Sequence, residues 1–204
     1  MIIIGITGGV GSGKSEVLRI IAEESKACIL KADEVAHKIE EKGSSCYKEL
    51  LELLGEGILD TEGNIDKRKM SSAIFSDKGK DLLEKVNGIV HPRVKDYILK
   101  QIKREEEDGR FDFFVIEAAL LIEEGYEKIC KELWYIYAKE DIRRKRLKMS
   151  RGYPDEKIDG IMMSQNPDSV FRAHCRRVID NSGDLADTKR QILECLRLIR
   201  LENP

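Results

Sequence analysis

The chain alternates short runs of apolar residues with longer stretches in which apolar side chains return every three or four positions. Short apolar runs bounded by glycine or polar residues are typical of buried β-strands, and the three-to-four spacing is typical of amphipathic helices. The pattern predicts strands at 2–6, 28–30, 111–118, 133–138 and 178–179. It predicts helices at 14–24, 141–149 and 184–201, and loops at 55–63 and 150–154. Strands that alternate with helices favour an α/β fold with a parallel sheet covered on both faces.

The mostly helical region between the second and third predicted strands is too long to be a simple crossover connection. We therefore expect a core of residues 1–32, 110–140 and 175–204, into which residues 33–109 are inserted as a helical subdomain. Pro92 is expected to break or begin a helix within this insertion, because proline lacks the backbone N–H that a helix interior uses.

Composition excludes several classes of protein. The 36 lysines and arginines almost balance the 38 aspartates and glutamates, and the net charge of −2 disfavours a dedicated nucleic-acid binder. No apolar run approaches the ~18 residues of a membrane span, and the N-terminus lacks the basic start of a signal peptide. The five scattered cysteines are expected to be reduced thiols. These features predict a cytoplasmic protein that binds neither nucleic acid nor membrane.

One motif carries specific chemistry, the segment Gly8-Gly9-Val10-Gly11-Ser12-Gly13-Lys14-Ser15. It fits the pattern G-x-x-x-x-G-K-[ST] between a predicted strand and a predicted helix, which is the context of a phosphate-binding P-loop. Glycines let backbone N–H groups converge on phosphate, and the helix adds the positive end of its dipole. We expect Lys14 to bind the β- and γ-phosphates of ATP and the Ser15 hydroxyl to coordinate Mg²⁺. The expected nucleotide-binding residues here are Gly9, Gly11, Ser12, Gly13, Lys14, Ser15 and Glu16.

A P-loop alone does not separate a GTPase from a kinase. A GTPase would carry an N-K-x-D motif after a strand, and the nearest match, at 181–184, lacks the lysine. The sequence also has no D-x-x-G switch motif after a predicted strand, so a GTPase is disfavoured.

Three polar residues are candidates for the acceptor side of the site. Asp33 follows the second predicted strand, where it could take a proton from a substrate hydroxyl, ligate magnesium, or cap a helix. Glu117 ends the third predicted strand and could contact the metal through water or face solvent. His91 could contact a substrate phosphate or be a buried histidine with its hydrogen bonds satisfied.

Six basic residues and no acidic one lie between positions 143 and 151. This segment could be a nucleic-acid patch, a solvated helix face, or part of a kinase lid that closes over ATP. With a P-loop present and a net charge near zero, we favour a lid at 141–174. Arg143 and Arg146 share one helix face and would neutralise charge on the transferring phosphoryl group.

Taken in order, these motifs resemble those of the dephospho-coenzyme A kinase family over nearly the whole chain. The matching segments are 5–15, 31–37, 67–75, 91–94, 117–123, 146–147, Gln165 and 178–181. The chain departs from the family pattern at Lys31, Lys67, Ala119, Ser150 and the pair Cys175-Arg176. Ser150 stands where the family has a second lid arginine, whereas Asp33, at the position of the family's base, is retained.

The resemblance implies transfer of the ATP γ-phosphate to the ribose 3′-hydroxyl of dephospho-coenzyme A, with Mg²⁺, in the last step of coenzyme A synthesis. It also implies a P-loop NTPase fold similar to that of nucleoside monophosphate kinases, with three α/β/α layers around a five-stranded parallel sheet, a helical substrate-binding insertion and a lid. The implied catalytic residues are Lys14, Asp33, Arg143 and Arg146, with Asn181 beside the adenine. The implied acceptor-binding residues are Thr7, Asp33, His91, Glu117 and Leu120.

Two alternatives stay open at this point. One is a P-loop kinase that phosphorylates another nucleoside or nucleotide, and the other is a nucleotide-binding regulator without catalysis. The sequence leaves the oligomeric state open.

Overall fold

The computed structural model describes residues 1–74 and 79–203, and only the backbone of residues 79 and 80. Phe75, which ends one of the segments that resemble the kinase family, lies outside the described residues.

Five parallel strands form a sheet in the order β2-β3-β1-β4-β5, which confirms the predicted fold class. The strands are β1 (Ile2–Thr7), β2 (Ala27–Lys31), β3 (Phe113–Glu117), β4 (Glu132–Tyr137) and β5 (Arg177–Asp180). The register pairs Ile6 with Glu117 and Thr7 with Tyr135, so these strands end together at one edge of the sheet. In open parallel sheets this edge, at the carboxyl ends of the strands, is where ligands bind.

Helices connect the strands and fill the insertion. They are α1 (Lys14–Glu24), α2 (Ala32–Ile39), α3 (Ser45–Leu54), α4 (Lys67–Ile74), α5 (Gly79–Asp108), α6 (Glu140–Arg151), α7 (Asp155–Met163), α8 (Asp168–His174) and α9 (Leu185–Leu201). Short 3₁₀ turns lie at Glu56–Ile58 and Tyr126–Lys128. Within the described part of the chain, no helix is both long enough and apolar enough to cross a membrane.

One face of the sheet packs against α1 and α9. Alternate strand residues point into this core, as the two-residue period of a strand requires. Ile4 and Ile6 of β1 and Trp134 and Ile136 of β4 are fully buried there. The helices contribute Val17, Leu18, Ile20, Ile21, Ile192, Leu196 and Ile199. This core fixes α1, and with it the loop between β1 and α1, against the centre of the sheet.

The chain divides into two compact units, a larger one of residues 1–30 and 105–204 and a smaller one of residues 31–104. The first contains most of the sheet, α1 and the helices from α6 onward, and the second is mainly helical. The predicted lid, 141–174, lies within the first unit, and its function as a lid stays a prediction.

The expectation that Pro92 breaks or begins a helix was wrong, because α5 runs through it without interruption. Proline in a helix interior costs about 3 kcal/mol. Val86, Val90, Val94 and Ile98 form a buried stripe at four-residue spacing along α5. Each such burial contributes roughly 1.5–3 kcal/mol, so packing of the continuous helix outweighs the cost of the proline.

Two other expectations needed correction. Ser150 and Arg151 are not in a loop, because α6 continues to Arg151 and ends at Gly152, which adopts a left-handed conformation with φ of 61°. The segment 55–63 is only partly irregular, since it contains a 3₁₀ turn and a bridge between Leu59 and Ile65.

Candidate active site

The P-loop lies between the central strand β1 and α1, at the carboxyl edge of the sheet. Gly13 is the N-cap residue of α1 and has a φ of 90°, a conformation that residues with a β-carbon rarely adopt. A β-carbon on Gly9 would clash with the Arg143 guanidinium and lie 2.9 Å from Gln165 Oε1. The glycine spacing of the motif therefore serves both the turn into α1 and the close approach of side chains from later in the chain.

Lys14 bridges the ends of β1 and β3. Its Nζ donates to the Gly8 carbonyl oxygen at 2.8 Å and lies 3.5 Å from Glu117 Oε1. Both charged side chains are only 15% exposed. A lysine ammonium that is largely removed from water acts as a strong point charge for phosphate. The expectation that Glu117 faces solvent was wrong, and its contact with a metal through water stays a prediction.

Arg146, on α6, is fixed against the other end of the P-loop. Its Nη1 donates to the Ser12 carbonyl oxygen at 3.1 Å, and its Nη2 donates to the Asn181 carbonyl oxygen at 2.8 Å. These partners are neutral carbonyl oxygens, so they orient the guanidinium without neutralising its charge. The positive charge remains available to an anionic ligand at the P-loop.

Asn181, which follows β5, is buried and joins the P-loop to α9. Its Nδ2 donates to the Ser12 carbonyl oxygen at 2.7 Å, and its Oδ1 accepts from Thr188 Oγ1 at 3.0 Å. Both ends of the amide are thus bonded within the protein. The predicted contact of this turn with adenine stays a prediction.

Arg143, one helical turn before Arg146, contacts the tip of the P-loop. Its Nε donates to the Val10 carbonyl oxygen at 3.0 Å, and its Nη2 donates to Gln165 Oε1 at 2.6 Å. Burial lowers the pKa of the Arg143 guanidinium from its ordinary value, while Tyr135 and Glu140 act in the opposite direction. The predicted pair Arg143 and Arg146 is therefore brought to one loop.

The residues at the start of α1 fit a magnesium ion that takes few protein ligands. Ser15 is exposed in the first helical turn, and the buried Ser12 Oγ has no hydrogen-bond partner. Among the described residues, no group of three acidic, histidine or cysteine side chains forms a metal cage. Magnesium in phosphate sites keeps water and phosphate oxygens as its main ligands, so a hydroxyl such as that of Ser15 suffices as a protein ligand.

The other predicted residues of the larger unit have contacts that say less about their function. Thr7 is fully buried, and its Oγ1 lies 3.4 Å from the Ala119 carbonyl oxygen. Glu16 is hydrogen-bonded to Arg19, which lowers the pKa of the Glu16 carboxyl. Leu120 is 43% exposed in the segment after β3.

Asp33 and His91 belong to the smaller unit. Asp33 lies in the first turn of α2, but Lys31 is the N-cap residue, so the interpretation of Asp33 as a helix cap was wrong. Asp33 interacts electrostatically with Lys67, where it opposes the lowering of the lysine pKa by burial. His91 is half-buried within α5.

The basic residues of α6 make two different sets of contacts. Arg144 pairs with Asp159, and Lys148 lies 2.7 Å from Asp155, so these two cations join α6 to α7. Arg143 and Arg146 face the P-loop instead. Four of the six cations are thus held by hydrogen bonds or ion pairs within the protein, and the expectation that the segment does not bind nucleic acid stays a prediction.

Two site residues were not predicted as such, Gln165 and Asn166. Gln165 Oε1 accepts from Arg143 and from the Val10 N–H, the latter at 3.3 Å, and Asn166 Nδ2 donates to Glu123 Oε1 at 2.6 Å. Gln165 carried a signal only as part of the family resemblance. Asn166 carried none, because its partner is 43 positions away in the chain.

Comparison with known proteins agrees with this arrangement. The dephospho-CoA kinase family matches residues 2–187. A dephospho-CoA kinase of Streptococcus agalactiae is 36% identical over 198 residues, covering 96% of this chain and 97% of the relative. One of Carboxydothermus hydrogenoformans is 35% identical over 195 residues, covering 96% and 93%.

Solved structures show the same fold. A Thermus thermophilus protein superposes with a TM-score of 0.81 at 28% identity, covering 100% of this chain and 98% of the other. The dephospho-CoA kinase of Campylobacter jejuni gives a TM-score of 0.71 at 21% identity, with 99% and 98% covered, which supports the fold alone. On the family match and the relatives above 30% identity, the chain belongs to the dephospho-CoA kinase family.

Proposed function

We propose that the chain transfers the γ-phosphoryl group of ATP to the ribose 3′-hydroxyl of dephospho-coenzyme A. The observation that carries the proposal is the convergence of Lys14, Arg143 and Arg146 on one P-loop. The transferring phosphoryl group carries charge on its oxygens throughout the reaction, so catalysis consists mainly of positioning and charge stabilisation. Family membership supports the choice of acceptor.

In this mechanism the P-loop binds the donor. Backbone N–H groups of the glycine-rich turn and the N-terminus of α1 would face the phosphates. Lys14, already directed toward the carboxyl edge of the sheet by Gly8 and Glu117, would bind the β- and γ-phosphates. Arg143 and Arg146 would stabilise the charge that develops during transfer.

Mg²⁺ would be held by Ser15, with Glu117 acting through a bound water, and it would neutralise charge on the phosphates when bound. Glu117 would also hold Lys14 in place, since the two side chains are 3.5 Å apart.

On the acceptor side, Asp33 would orient the 3′-hydroxyl or accept its proton. A loose phosphoryl-transfer transition state needs little deprotonation of the attacking hydroxyl in advance. Thr7, His91 and Leu120 would contribute to acceptor binding. The segment 141–174 would close over ATP and keep water from the phosphoryl group. We place this activity in the cytoplasm.

Identification of the product tests the proposal. The chain is incubated with ATP, Mg²⁺ and dephospho-coenzyme A, and the product is examined by mass spectrometry and phosphorus NMR. We expect one added phosphate monoester on the 3′ carbon, and no product from the 3′-deoxy analogue of the acceptor. The Lys14→Ala variant is the matched control for contaminating kinases. Phosphorylation at another position, or ADP release without a phosphorylated acceptor, would contradict the proposal.

A further inference from the structure

We propose that Gln165 and Asn166 are positioning residues that join the donor side of the site to the segment after β3. They lie between α7 and α8 and touch two different parts of the larger unit. Gln165 contacts the tip of the P-loop and Arg143, and Asn166 contacts Glu123. The kinetic part of this inference rests on the proposed function.

Val10, Arg143 and Gln165 form a closed ring of hydrogen bonds. The Val10 carbonyl oxygen accepts from Arg143 Nε at 3.0 Å. Gln165 Oε1 accepts from Arg143 Nη2 at 2.6 Å and from the Val10 N–H at 3.3 Å. Each member contacts the other two, so a displacement of one changes the position of both. Gly9 is tightly enclosed by the same ring, since a β-carbon there would clash with Arg143.

The amide of Gln165 suits this ring in a way that a carboxylate would not. Two N–H donors converge on one atom, and only an acceptor oxygen satisfies both. A neutral oxygen does so without forming an ion pair with Arg143, so the guanidinium keeps its charge for a phosphoryl group. A carboxylate at this place would add negative charge beside a phosphate-binding loop.

Asn166 extends the connection to the other side of the site. Its Nδ2 donates to Glu123 Oε1 at 2.6 Å. Glu123 lies in the segment that begins at Glu117, the partner of Lys14, and includes the exposed Leu120. Because Gln165 and Asn166 are adjacent, the P-loop tip and this segment are held by one piece of backbone.

That piece of backbone is anchored to the sheet immediately afterwards. Phe171 of α8 stacks on Tyr135 of β4, with ring centroids 4.7 Å apart and an interplanar angle of 9°. Asp168 is hydrogen-bonded to the same tyrosine, and this bond adds to burial in raising the pKa of the Tyr135 hydroxyl. The residues that follow Gln165 are thus held against the sheet as well as connected to α7.

The first test replaces Gln165 by methionine, which keeps its length and removes the acceptor. We expect kcat with dephospho-coenzyme A to fall about 10- to 100-fold, because misplacement of a catalytic group by about 1 Å costs this much. The KM for ATP should change less than about threefold. In an Arg143→Ala background the same replacement should cost less than about twofold more, since Gln165 acts through Arg143. Independent, multiplicative losses would overturn the inference.

The matched control is Ser164→Ala. Ser164 is adjacent in the chain, and its Oγ donates locally, to the Ile161 carbonyl oxygen at 2.9 Å. We expect this variant to keep wild-type kcat and KM values. An equal fall in kcat for the Ser164 and Gln165 variants would mean that the segment responds to any local change, and would overturn the positioning role.

The second test concerns the link to Glu123. Asn166→Ala and Glu123→Ala should each lower kcat by about three- to tenfold, and the double variant should be no slower than the slower single variant. Multiplicative effects, or no effect in either single variant, would show that the hydrogen bond does not position the site.

A third measurement does not depend on the acceptor. Amide hydrogen exchange at Val10, followed by NMR, should be about fivefold faster in Gln165→Met and unchanged in Ser164→Ala, because the variant loses the acceptor of that N–H. If the wild-type chain failed to phosphorylate dephospho-coenzyme A, the proposed function would be wrong. The exchange rate at Val10 would still test whether Val10, Arg143 and Gln165 are held together by hydrogen bonds. Unchanged exchange at Val10 in Gln165→Met would overturn the ring itself.

Discussion

Replacement of Asn181 by alanine tests whether its side chain holds the P-loop in position. The side chain is buried and makes two hydrogen bonds, to the Ser12 carbonyl oxygen and from Thr188 Oγ1. Neither partner is left without an alternative, since Ser12 also accepts from Arg146 and Thr188 Oγ1 also lies 3.2 Å from the Asp184 carbonyl oxygen. The expected cost is therefore two net hydrogen bonds of about 1 kcal/mol each.

A loss of about 2 kcal/mol corresponds to a fall in Tm of about 4–8 °C for a chain of this length. Thermal unfolding by circular dichroism measures it. The displaced P-loop should also lower kcat/KM for ATP by about tenfold. If Asn181 acts by positioning the loop, kcat/KM for GTP should fall by the same factor, because no contact with the base is lost.

Thr188→Val is the matched control. It removes the hydroxyl that Asn181 Oδ1 accepts from but keeps the bond from Asn181 to the P-loop. We expect a loss of about 1–3 kcal/mol in stability from the unsatisfied amide oxygen, with little change in kcat/KM. Unchanged stability in Asn181→Ala, or a selective loss of ATP over GTP, would refute the positioning account and favour direct contact with adenine.

Four further variants test other parts of the account. Lys14→Ala should lower kcat at least about 100-fold, the loss of roughly 3 kcal/mol of transition-state stabilisation, and steady-state ADP release measures it; retained turnover would remove the P-loop lysine from the chemistry. Asp33→Asn should keep ATP affinity by calorimetry yet lose turnover, whereas a fall in Tm with normal turnover per folded molecule would make Asp33 structural. Arg146→Ala should lower kcat more than it weakens ATP binding, and a pure loss of affinity would place Arg146 outside the transfer step. Burial raises the pKa of Glu40 to about 6 from 4.5, so ionisation of Glu40 lowers stability as the pH rises through this interval. Glu40→Gln should therefore raise Tm at pH 8 by several degrees and leave it unchanged at pH 4. Equal effects at both pH values would contradict this expectation.

The parts of the site that sequence predicted well are contiguous in the chain. The P-loop is one unbroken motif between a strand and a helix, so its residues and its place in the fold follow from local pattern. Strand and helix positions in the core also followed from hydrophobic periodicity, to within a few residues.

The parts that sequence reasoning missed depend on contacts between distant segments. Gln165 meets Val10 across 155 positions, and Asn166 meets Glu123 across 43 positions. Neither the spacing nor the charge of a glutamine or an asparagine predicts which distant residue it will contact. The prediction that Pro92 would break or begin a helix was wrong for a related reason. The burial of a long apolar stripe along α5 outweighed the local preference of proline against a helix interior.

The most direct test of the central claim is acceptor preference. Initial rates of ADP formation are compared for dephospho-coenzyme A, adenosine and AMP under the same conditions, with ATP and Mg²⁺ in excess. We expect kcat/KM for dephospho-coenzyme A to exceed that for either alternative by about 100-fold or more. A higher kcat/KM for another acceptor, or ATP binding without turnover of any of them, would contradict the account.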